Sequence, residues 1–380
     1  MDLRRSAEHE AMLEAVTAFV DAEIVPRAAE IDRTDAFPSE LIDAMGELGL
    51  LGMPIDEADG GTGLAYPTYA ACLAEISRGS GAVGTSVAAH TSLCAAMIDQ
   101  FGDAAQCERY LPALCEGSDI GAFALSEAGA GSDVRALDMT ATRIDDGYRL
   151  EGEKLWTSNG SVASTIVTFA RTGEPRDREG ITAFIVRPAE DAGFSVARTE
   201  EKLGDRGCPT AALSFDGVEL PLDRRLGAEG DGFHQALETL NGGRITIAAR
   251  GVGIARAALD AAVTYALERE QFGRPIAEIQ TIHHKLADMA CKVRLAELAM
   301  WDAADRHHRG EDYIEAAAIA KLYASEVSRE VSNEAIQIHG GYGYVQDFPV
   351  ERYYRDAKLN EIYEGTSEIL KNTIAHQLLE

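Results

Sequence analysis

The sequence is 380 residues long, and at about 100–200 residues per domain it predicts two or three domains. Its 35 Lys plus Arg and 63 Asp plus Glu give a net charge of −28. Such a charge repels phosphate backbones and anionic lipid surfaces, so nucleic acid and membranes are not expected partners. A hydrophobic fraction of 46% and a charged fraction of 26% are typical of a globular protein and exclude a disordered one.

The cysteines and the N-terminus bear on the compartment. The six cysteines include no C-x-x-C pair and no cluster with His, so we expect neither a zinc site nor a redox dithiol. Free thiols in a reducing cytosol are the simpler interpretation. Residues 1–6 continue directly into an amphipathic pattern without the apolar core of a signal peptide, and no window approaches 18 uninterrupted apolar residues. We therefore predict a soluble cytoplasmic protein.

The first predicted domain, residues 1–120, is helical. Apolar residues recur at helical spacing from residue 8, for example at Met12, Val16 and Phe19, and Pro26 marks the expected end of this first helix. Three further helices are predicted at residues 39–48, 66–78 and 85–101, the first of them after an N-cap candidate at Ser39.

The second predicted domain, residues 121–229, has the shorter period of β-strands. Residues 140–150 read as a hairpin, because Asp146-Gly147 readily adopts the positive φ that a tight type I′ turn needs. Further short strands are predicted at residues 165–170, 181–187, 194–198 and 211–215. Because no helices alternate with these strands, the pattern favours an antiparallel barrel or sandwich over a parallel doubly wound sheet.

The third predicted domain, residues 230–380, returns to the helical period. One helix carries Leu286, Met289 and Val293 on a single stripe, and another covers residues 313–338 and ends at Gly340. Long helices in series predict a bundle whose exposed apolar stripes often pair between subunits. The predicted architecture is α, then β, then α.

Two glycine-containing segments are candidates for nucleotide contacts. Residues 128–133 (AGAGSD) would allow a ligand close to the backbone N–H groups, although a flexible interdomain loop explains them equally well. They do not form a Walker loop, because no Gly-Lys-Ser/Thr follows. Gly251 and Gly253 superficially match a dinucleotide fingerprint, but Arg256 occupies the third glycine position and the surroundings are helical.

Aromatic and basic residues suggest a flat, phosphorylated ligand. Trp156 lies beside the hydroxyls of Thr157 and Ser158, so its ring could cover a heteroaromatic cofactor while neighbouring donors bind the edge. The alternative is a tryptophan in the core of a sheet. Arg269 offers a planar guanidinium that suits a pyrophosphate, although an exposed ion pair is the commoner role in so acidic a chain.

The densest candidate site is near the C-terminus. Residues 337–344 (QIHGGYGY) and 361–368 (EIYEGTSE) combine glycines, aromatic residues and the carboxylate of Glu364. Such a pattern indicates site chemistry. The structural alternative is a helix N-terminus capped by residues 364–368.

Taken together and in this order, these segments resemble the acyl-CoA dehydrogenase family, flavoproteins that oxidise acyl-CoA thioesters to trans-2-enoyl-CoA. The resemblance covers essentially the whole chain and is strongest to the short-chain branch, through residues 241–244 (NGGR) and 362–368 (IYEGTSE). It implies an α+β fold with an N-terminal helical domain, a central antiparallel β-barrel and a C-terminal four-helix bundle. It also implies FAD as cofactor, electron-transfer flavoprotein as electron acceptor, and an oligomer, usually a tetramer.

The resemblance assigns roles to individual residues. Glu364 would be the base that removes the pro-R α-proton while hydride leaves the β-carbon for flavin N5. The implied FAD-binding residues are Phe123, Leu125, Ser126, Gly131, Ser132, Trp156, Thr157, Ser158, Arg269, Phe272, Gln280, Gln337, Ile338, Gly340, Gly341, Thr366, Ser367 and Glu368, of which Arg269, Phe272, Gln280 and residues 337–341 would reach a neighbouring subunit's FAD. The implied substrate-binding residues are Ser132, Asn241, Arg244, Tyr363 and Gly365.

The resemblance leaves one candidate for the catalytic base, and three nearby motif residues differ from the usual family pattern. The isovaleryl and long-chain branches carry their base at the position that here is Gly243, which leaves Glu364 as the candidate. A free Glu has a pKa of about 4.3, so an apolar pocket must raise the pKa of Glu364 toward working pH. Ala128 replaces the usual Pro, Thr157 a common Ile, and Asn241 a frequent Asp, each leaving the reaction possible.

Alternative functions on the same scaffold are an acyl-CoA oxidase that uses oxygen, a nitroalkane oxidase and a non-catalytic DNA-binding member. Nitroalkane oxidases use Asp as base, which Glu364 argues against. The net charge of −28 and the intact Glu364 both oppose the DNA-binding alternative. For the dehydrogenase we expect short, straight or branched acyl chains, with residues 85–97 and the surroundings of Tyr363 shaping the pocket.

Overall fold

The computed structural model describes residues 7–379; the expectation about residues 1–6 lies outside that range. Its α-helices are α1 (Ala7–Phe19), α2 (Ala28–Thr34), α3 (Ser39–Glu47), α4 (Tyr66–Gly79), α5 (Gly81–Ala88), α6 (Ala96–Phe101), α7 (Ala104–Glu116), α8 (Gly232–Glu268), α9 (Gln280–His308), α10 (Ile314–His339), α11 (Val350–Leu359) and α12 (Ser367–Leu379). Its strands are β1 (Gly121–Ala124), β2 (Thr140–Ile144), β3 (Gly147–Ser158), β4 (Thr165–Arg171), β5 (Ile181–Val186), β6 (Phe194–Thr199), β7 (Thr210–Pro221), β8 (Arg225–Leu226), β9 (Glu270–Gln271) and β10 (Arg274–Pro275).

The first helix does not end at Pro26. A π-helical turn, Val20–Ile24, and a 3-10 turn, Val25–Arg27, join α1 to α2. Pro26 lies in the first turn of the 3-10 segment, where its missing N–H breaks no bond that the helix requires. The helical path therefore continues to Thr34, and the left-handed Asp35 (φ 56°) ends it.

The helical run of residues 81–101 forms the centre of the N-terminal region. It consists of α5, a π-helical turn (Ala89–Ala95) and α6, and Ser80 caps it by accepting a hydrogen bond from the N–H of Val83. The run is long and apolar enough to cross a membrane, with a mean hydropathy of 1.3, but 94% of that window is buried inside the protein. It is the pattern of a core helix.

The central sheet differs from the predicted antiparallel barrel. Seven strands pair in the order β6-β7-β3-β2-β4-β5-β8, and the eighth, β1, lies outside this order and pairs parallel to β4. The start of β2 also pairs with β4 in the parallel sense, whereas the other pairings are antiparallel. Within residues 7–379 the path ends at β6 and β8, which do not pair with each other. The sheet is therefore mixed and open, and the prediction of a barrel was wrong.

Helices take the place of barrel closure at the β8 end of the sheet. Gln106 on α7 donates its amide to the backbone carbonyls of Asp223 and Arg225, so this edge meets a side chain instead of another strand. Strand periodicity in a sequence cannot show such a contact, because covered and paired edges have the same apolar alternation.

The helices share one large core, and the sheet forms a second. Residues of α1, α3 and α4 are buried together with those of α8, α9 and α10, so the first and third predicted domains pack as a single helical body. The sheet is buried with residues of the α5–α6 run and α7. In the C-terminal region α8, α9 and α10 pack on one another, α11 packs on α8 and α10, and α12 packs on α10. The loop between α11 and α12 carries residues 360–366.

Candidate active site

Glu364 lies in a left-handed turn between α11 and α12. Its φ is +49°, and that of Gly365 is +97°; glycine adopts such values freely, whereas glutamate does so at a cost in strain. The Oε2 atom of Glu364 is buried and has no hydrogen-bond partner. A strained backbone and an unpaired buried carboxylate oxygen in the same residue are costly for stability, which marks Glu364 as a functional candidate.

The carboxylate of Glu364 faces α8 and the buried run of residues 81–101. A Cβ built on Gly243 would lie 2.5 Å from Oε2 of Glu364 and 3.1 Å from Cδ2 of Leu93. The missing side chain at Gly243 therefore provides the space that the carboxylate occupies. The predicted base and the residue that would carry the base in other branches face each other across a few ångströms.

Burial raises the pKa of Glu364 to about 8. Desolvation disfavours the carboxylate, and the positive charges of Lys321, Arg244 and Arg250 offset only part of that effect. The residue as a whole is partly accessible, whereas its Oε2 atom is buried, so the burial of the carboxyl group rather than of the whole residue causes this shift. A carboxyl group with a pKa near neutrality is well matched to a proton-transfer role.

Lys321 of α10 holds the backbone on both sides of Glu364. Its Nζ donates hydrogen bonds to the carbonyl of Tyr363 at 2.9 Å and to that of Gly365 at 2.6 Å. The side chain is fully buried, and desolvation lowers the pKa of Lys321 to about 7. Lys321 is not among the site residues predicted from the sequence.

The NGGR segment on α8 lies beside the same turn. Arg244 is buried and donates from Nη1 to Oδ1 of Asn241 at 2.7 Å, while a Cβ on Gly365 would lie 3.9 Å from its Nε. Tyr66 of α4 donates to the carbonyl of Gly242 at 3.1 Å. The structure thus brings together three of the predicted substrate-binding residues, Asn241, Arg244 and Gly365, around Glu364, with Tyr363 adjacent in the chain.

Residues 366–368 begin α12. The hydroxyl of Thr366 accepts a hydrogen bond from the N–H of Ile369 at 3.3 Å, which is the capping interaction foreseen as a structural alternative. Ser367 is buried and Glu368 is exposed. The cap accounts for Thr366 but not for Glu364, which precedes the helix.

A second group of predicted residues joins β1 and its following loop to β3. The N–H of Leu155 donates to the carbonyl of Ser126 at 2.8 Å, and the buried Lys154 donates to the carbonyl of Leu125 and to Oε1 of Glu127. Phe123 packs edge-to-face on Phe169. The loop that continues to Gly131 and Ser132 is exposed, so its backbone groups are available to a ligand.

Trp156 stands out within this group. It is 61% exposed, has a φ of +61°, and lies where the β3–β7 register shifts between Lys154 and Thr157. The bulge turns the indole out of the sheet, which excludes the sheet-core alternative. The adjacent Thr157 hydroxyl is buried without a partner, and Ser158 is partly exposed.

The third group of predicted residues lies on the outside of the helical body. Phe272, in the turn between β9 and β10, is 93% exposed and left-handed. Arg269 lies with its guanidinium 5.7 Å from the ring centre of Tyr342, which connects this hairpin to the segment after α10. Gln280, Gln337, Gly340 and Gly341 are exposed, and Ile338 is buried.

Comparison with sequence profiles assigns all three regions of the chain. The acyl-CoA dehydrogenase N-terminal domain matches residues 6–118, the middle domain residues 122–218 and the C-terminal domain residues 230–379. The chain belongs to the acyl-CoA dehydrogenase family.

Relatives within the acyl-CoA dehydrogenase family match over the full length. An acyl-CoA dehydrogenase of Bacillus subtilis (strain 168) is 46% identical over 368 residues, covering 97% of each chain. Butyryl-CoA dehydrogenase from Megasphaera elsdenii superposes with a TM-score of 0.98 at 38% identity, covering 100% of both chains. A chain in the structure described as the electron transferring flavoprotein of Acidaminococcus fermentans gives a TM-score of 0.98 at 40% identity, again with full coverage of both. With the burial of residues 81–101, this relationship indicates a soluble protein.

Three features of this acyl-CoA dehydrogenase were not foreseen. The first is the contact of Lys321 with the turn, and the second is the pair of Lys154 and Glu127 beneath the exposed loop. The third is the buried ion pair of Arg250 with Asp205. A sequence signal exists for Lys321 and Arg250, since each is a lone charge within an apolar helical stripe, but their partners are distant in the chain.

Proposed function

We propose that this protein catalyses the FAD-dependent α,β-dehydrogenation of a short-chain acyl-CoA thioester to the trans-2-enoyl-CoA, with Glu364 as the base, and passes the electrons to electron-transfer flavoprotein. The observation that carries this proposal is the buried, unpartnered carboxylate of Glu364, held in a left-handed turn opposite Gly243. Membership of the family supports the reaction, and the butyryl-CoA and electron-transfer-flavoprotein structures support the chain length and the acceptor.

The residues near Trp156 fit a flavin. An exposed indole turned out of the sheet offers a flat apolar face, and the unpartnered hydroxyl of Thr157 offers a polar atom beside it. A Cβ on Gly131 would meet nothing within 4 Å, so the loop backbone is open to approach. When bound, FAD supplies the acceptor for the hydride that leaves the β-carbon. Phe123, Leu125, Ser126 and Ser132 would complete this side of the site.

The residues around the turn would divide the work of proton abstraction. Glu364 takes the α-proton, and its raised pKa of about 8 makes it a stronger base than an exposed glutamate. Its own backbone N–H would donate to the thioester carbonyl and so stabilise the negative charge that develops there. Leu93 and Tyr363 would exclude water from the reacting carbons, which preserves the basicity of the carboxylate.

The CoA end of the substrate is assigned to polar groups at the edge of this pocket. Arg244 and Asn241 form a hydrogen-bonded pair on α8, and Ser132 is exposed on the loop that follows β1. In a chain with a net charge of −28, binding a polyanionic substrate requires local positive charge, which Arg244 supplies.

The third group of residues supports an oligomer, which we propose to be a homotetramer. Phe272 is almost fully exposed, as is Tyr344, and large exposed apolar side chains are typical of subunit interfaces. Arg269, Gln280 and residues 337–341 would then contact the FAD of the neighbouring subunit. We further propose three domains at residues 1–120, 121–229 and 230–380, and a cytoplasmic location.

Anaerobic reduction of the flavin tests the proposal. The purified holoenzyme is mixed with acyl-CoA substrates from C4 to C16, and bleaching of the flavin absorbance is followed. We expect butyryl-CoA to bleach it fastest and Glu364→Gln to slow bleaching by about 10²–10⁴-fold while retaining FAD. Bleaching by no chain length, or undiminished bleaching by the variant, would refute the mechanism. Hydrogen peroxide formed at the rate of turnover in air would favour the oxidase alternative.

A further inference from the structure

The turn that carries Glu364 is fastened to a single face of α10. Ser325 donates from Oγ to the carbonyl of Asn360 at 2.9 Å, Asn360 donates from Nδ2 to Oγ of Ser328 at 3.2 Å, and Arg329 donates to Glu361 at 2.7 Å. Lys321 lies one turn before Ser325, so these residues follow the i, i+4, i+7, i+8 spacing of one helical stripe. The stripe reaches the loop at several points, and Lys321 makes the contact nearest to the carboxylate.

The contact made by Lys321 differs from the others in its geometry. Its Nζ binds the carbonyls of Tyr363 and Gly365, the two residues that flank Glu364, so one atom constrains the peptide groups on both sides of the base. The intervening residue has a φ of +49°, a conformation that a non-glycine residue keeps only when its surroundings enforce it. Two hydrogen bonds from one buried donor meet that requirement.

A buried lysine without a carboxylate hydrogen-bond partner is expensive. Lys321 is fully buried, and the hydrogen-bond acceptors shown for its Nζ are two neutral carbonyls. Replacing it with an apolar side chain would remove the desolvation cost of the cation. A purely structural role therefore explains Lys321 poorly. A role in fixing the turn around Glu364 and in favouring the charged form of its carboxyl group explains why a lysine is buried there.

We propose that Lys321 is a positioning residue, which holds Glu364 in its left-handed conformation against the substrate α-carbon and, when protonated, favours the ionised form of its carboxyl group. The proposal rests on the assignment of Glu364 as the base. Lys321 touches neither substrate nor cofactor in this assignment and acts through the turn. It adds a residue on α10 to a site otherwise built from α4, the run of residues 81–101, α8 and the α11–α12 loop.

The charge of Lys321 acts together with the other groups that face Glu364. Arg244 and Arg250 approach from α8 and favour the carboxylate, as Lys321 does. The phenols of Tyr66 and Tyr69 approach from α4, and each is coupled to the Glu364 charge. Because Lys321 is the largest of the influences that lower the pKa of Glu364, its removal should raise that pKa further.

Two substitutions of Lys321 and a matched control variant test the proposal in the purified holoenzyme. Lys321→Met removes both the donors and the charge, whereas Lys321→Gln keeps an N–H donor without the charge. Arg329→Met, on the same face of α10, removes an ion pair to Glu361 but no contact beside Glu364. For each variant, FAD content, melting midpoint, kcat and KM for butyryl-CoA, and the α-deuterium isotope effect on flavin bleaching are measured from pH 6 to 9.

We expect Lys321→Met to keep its FAD and to lose at least about tenfold in kcat with little change in KM, since a misplaced reacting group lowers the rate rather than the affinity. The acidic limb of its kcat profile should move up by a fraction of one pH unit, because a neighbouring cation lowers a carboxyl pKa and Lys321, whose own pKa burial lowers to about 7, carries its charge only over the acidic part of this range. Lys321→Gln should recover part of kcat but show the same shifted limb. Arg329→Met should match the wild type in kcat and in the pH position of the acidic limb of the kcat profile.

Two results would overturn the proposal. One is a Lys321→Met enzyme with the wild-type kcat, pH limb and isotope effect. The other is a loss of kcat shared equally by Arg329→Met, which would mean that any weakening of α10 suffices. The function itself fails separately, if the wild-type enzyme bleaches with no acyl-CoA or if Glu364→Gln bleaches as fast as wild type.

Discussion

The Oε2 atom of Glu364 occupies the space in which a side chain at Gly243 would begin, since a Cβ on Gly243 would lie 2.5 Å from that oxygen. The carboxylate and this helix position therefore exclude each other. The catalytic base can be carried by the turn or by α8, because the space between them accommodates a side chain from only one of the two.

Gly243→Ala should displace the carboxylate and lower kcat by about 10²-fold, the usual cost of moving a reacting group by about an ångström. Flavin bleaching with butyryl-CoA measures the effect. Gly242→Ala is the control, because its Cβ would meet Oη of Tyr66 at 3.4 Å and Nε2 of His307 at 4.0 Å, which are ordinary contacts. Equal losses of kcat in the two variants would contradict the conclusion that a side chain at position 243 displaces the Glu364 carboxylate.

The stability of Glu364→Gln should depend on pH. The pKa of Glu364 is raised to about 8 in the folded protein from the ordinary glutamate value of 4.5, so between these values the folded state binds the proton more tightly than the unfolded state. The wild type therefore loses stability as pH rises through this window, whereas Gln, which resembles the protonated acid, does not. Melting midpoints should coincide near pH 5 and favour Glu364→Gln at pH 8 to 9; a constant difference across this range would contradict the raised pKa.

The two tryptophans should respond differently to truncation. Trp156 is 61% exposed and Trp301 is 8% exposed, the latter in an edge-to-face contact with His9. Trp156→Ala should keep the melting midpoint of the FAD-free protein but lose FAD, measured as the ratio of flavin to protein absorbance. Trp301→Ala should lose about 3–5 kcal/mol of stability, as is usual for a buried tryptophan. Full FAD content in Trp156→Ala would remove this residue from the cofactor site.

Arg250→Met should be strongly destabilising. Arg250 and Asp205 are both fully buried, 2.5 Å apart, and Arg250 also bonds to Asn360. Removing one member of a buried pair leaves an uncompensated charge and costs about 3–5 kcal/mol, measurable by urea denaturation. The exposed pair of Arg27 and Glu23 provides the comparison: Arg27→Ala should change the midpoint little. A small effect for Arg250→Met would show that the site tolerates Asp205 without its partner.

Local sequence patterns predicted most of the secondary structure. The hairpin of residues 140–150 formed, but not through the predicted turn: Gly147 already pairs with Ile144, and neither Asp146 nor Gly147 has a positive φ. Gly340 ends α10 with a positive φ, as predicted. These features depend on side chains close in sequence, where propensity acts directly. The parallel pairing of β1 with β4 joins residues more than 40 positions apart, and no periodicity within either strand specifies which neighbour it takes.

The site residues divide in the same way, into those that local motifs predict and those that depend on contacts between distant parts of the chain. Motifs predicted Glu364, and the structure places it beside Arg244 and Gly243. Lys321 was missed because its importance depends on the backbone carbonyls it reaches, which carry no sequence signature. Trp156 was ambiguous for a related reason: the β-bulge that exposes it depends on the register against β7. The chemistry of a reactive side chain is visible in a sequence, whereas the distant backbone groups that a buried side chain binds are not.

The π-helical turn at Ala89–Ala95 has a consequence for how the proposed acyl pocket could change. It places Ser92 within 3.0 Å of the hydroxyl of Thr246 and Leu93 near the carboxylate of Glu364. A π-turn accommodates one residue more than an α-helical turn, so a single-residue deletion there would restore the ordinary helix and rotate Leu93 by about 100° away from Glu364. The reach of the pocket is thus governed by the number of residues in one helix as well as by the identity of the side chains that line it.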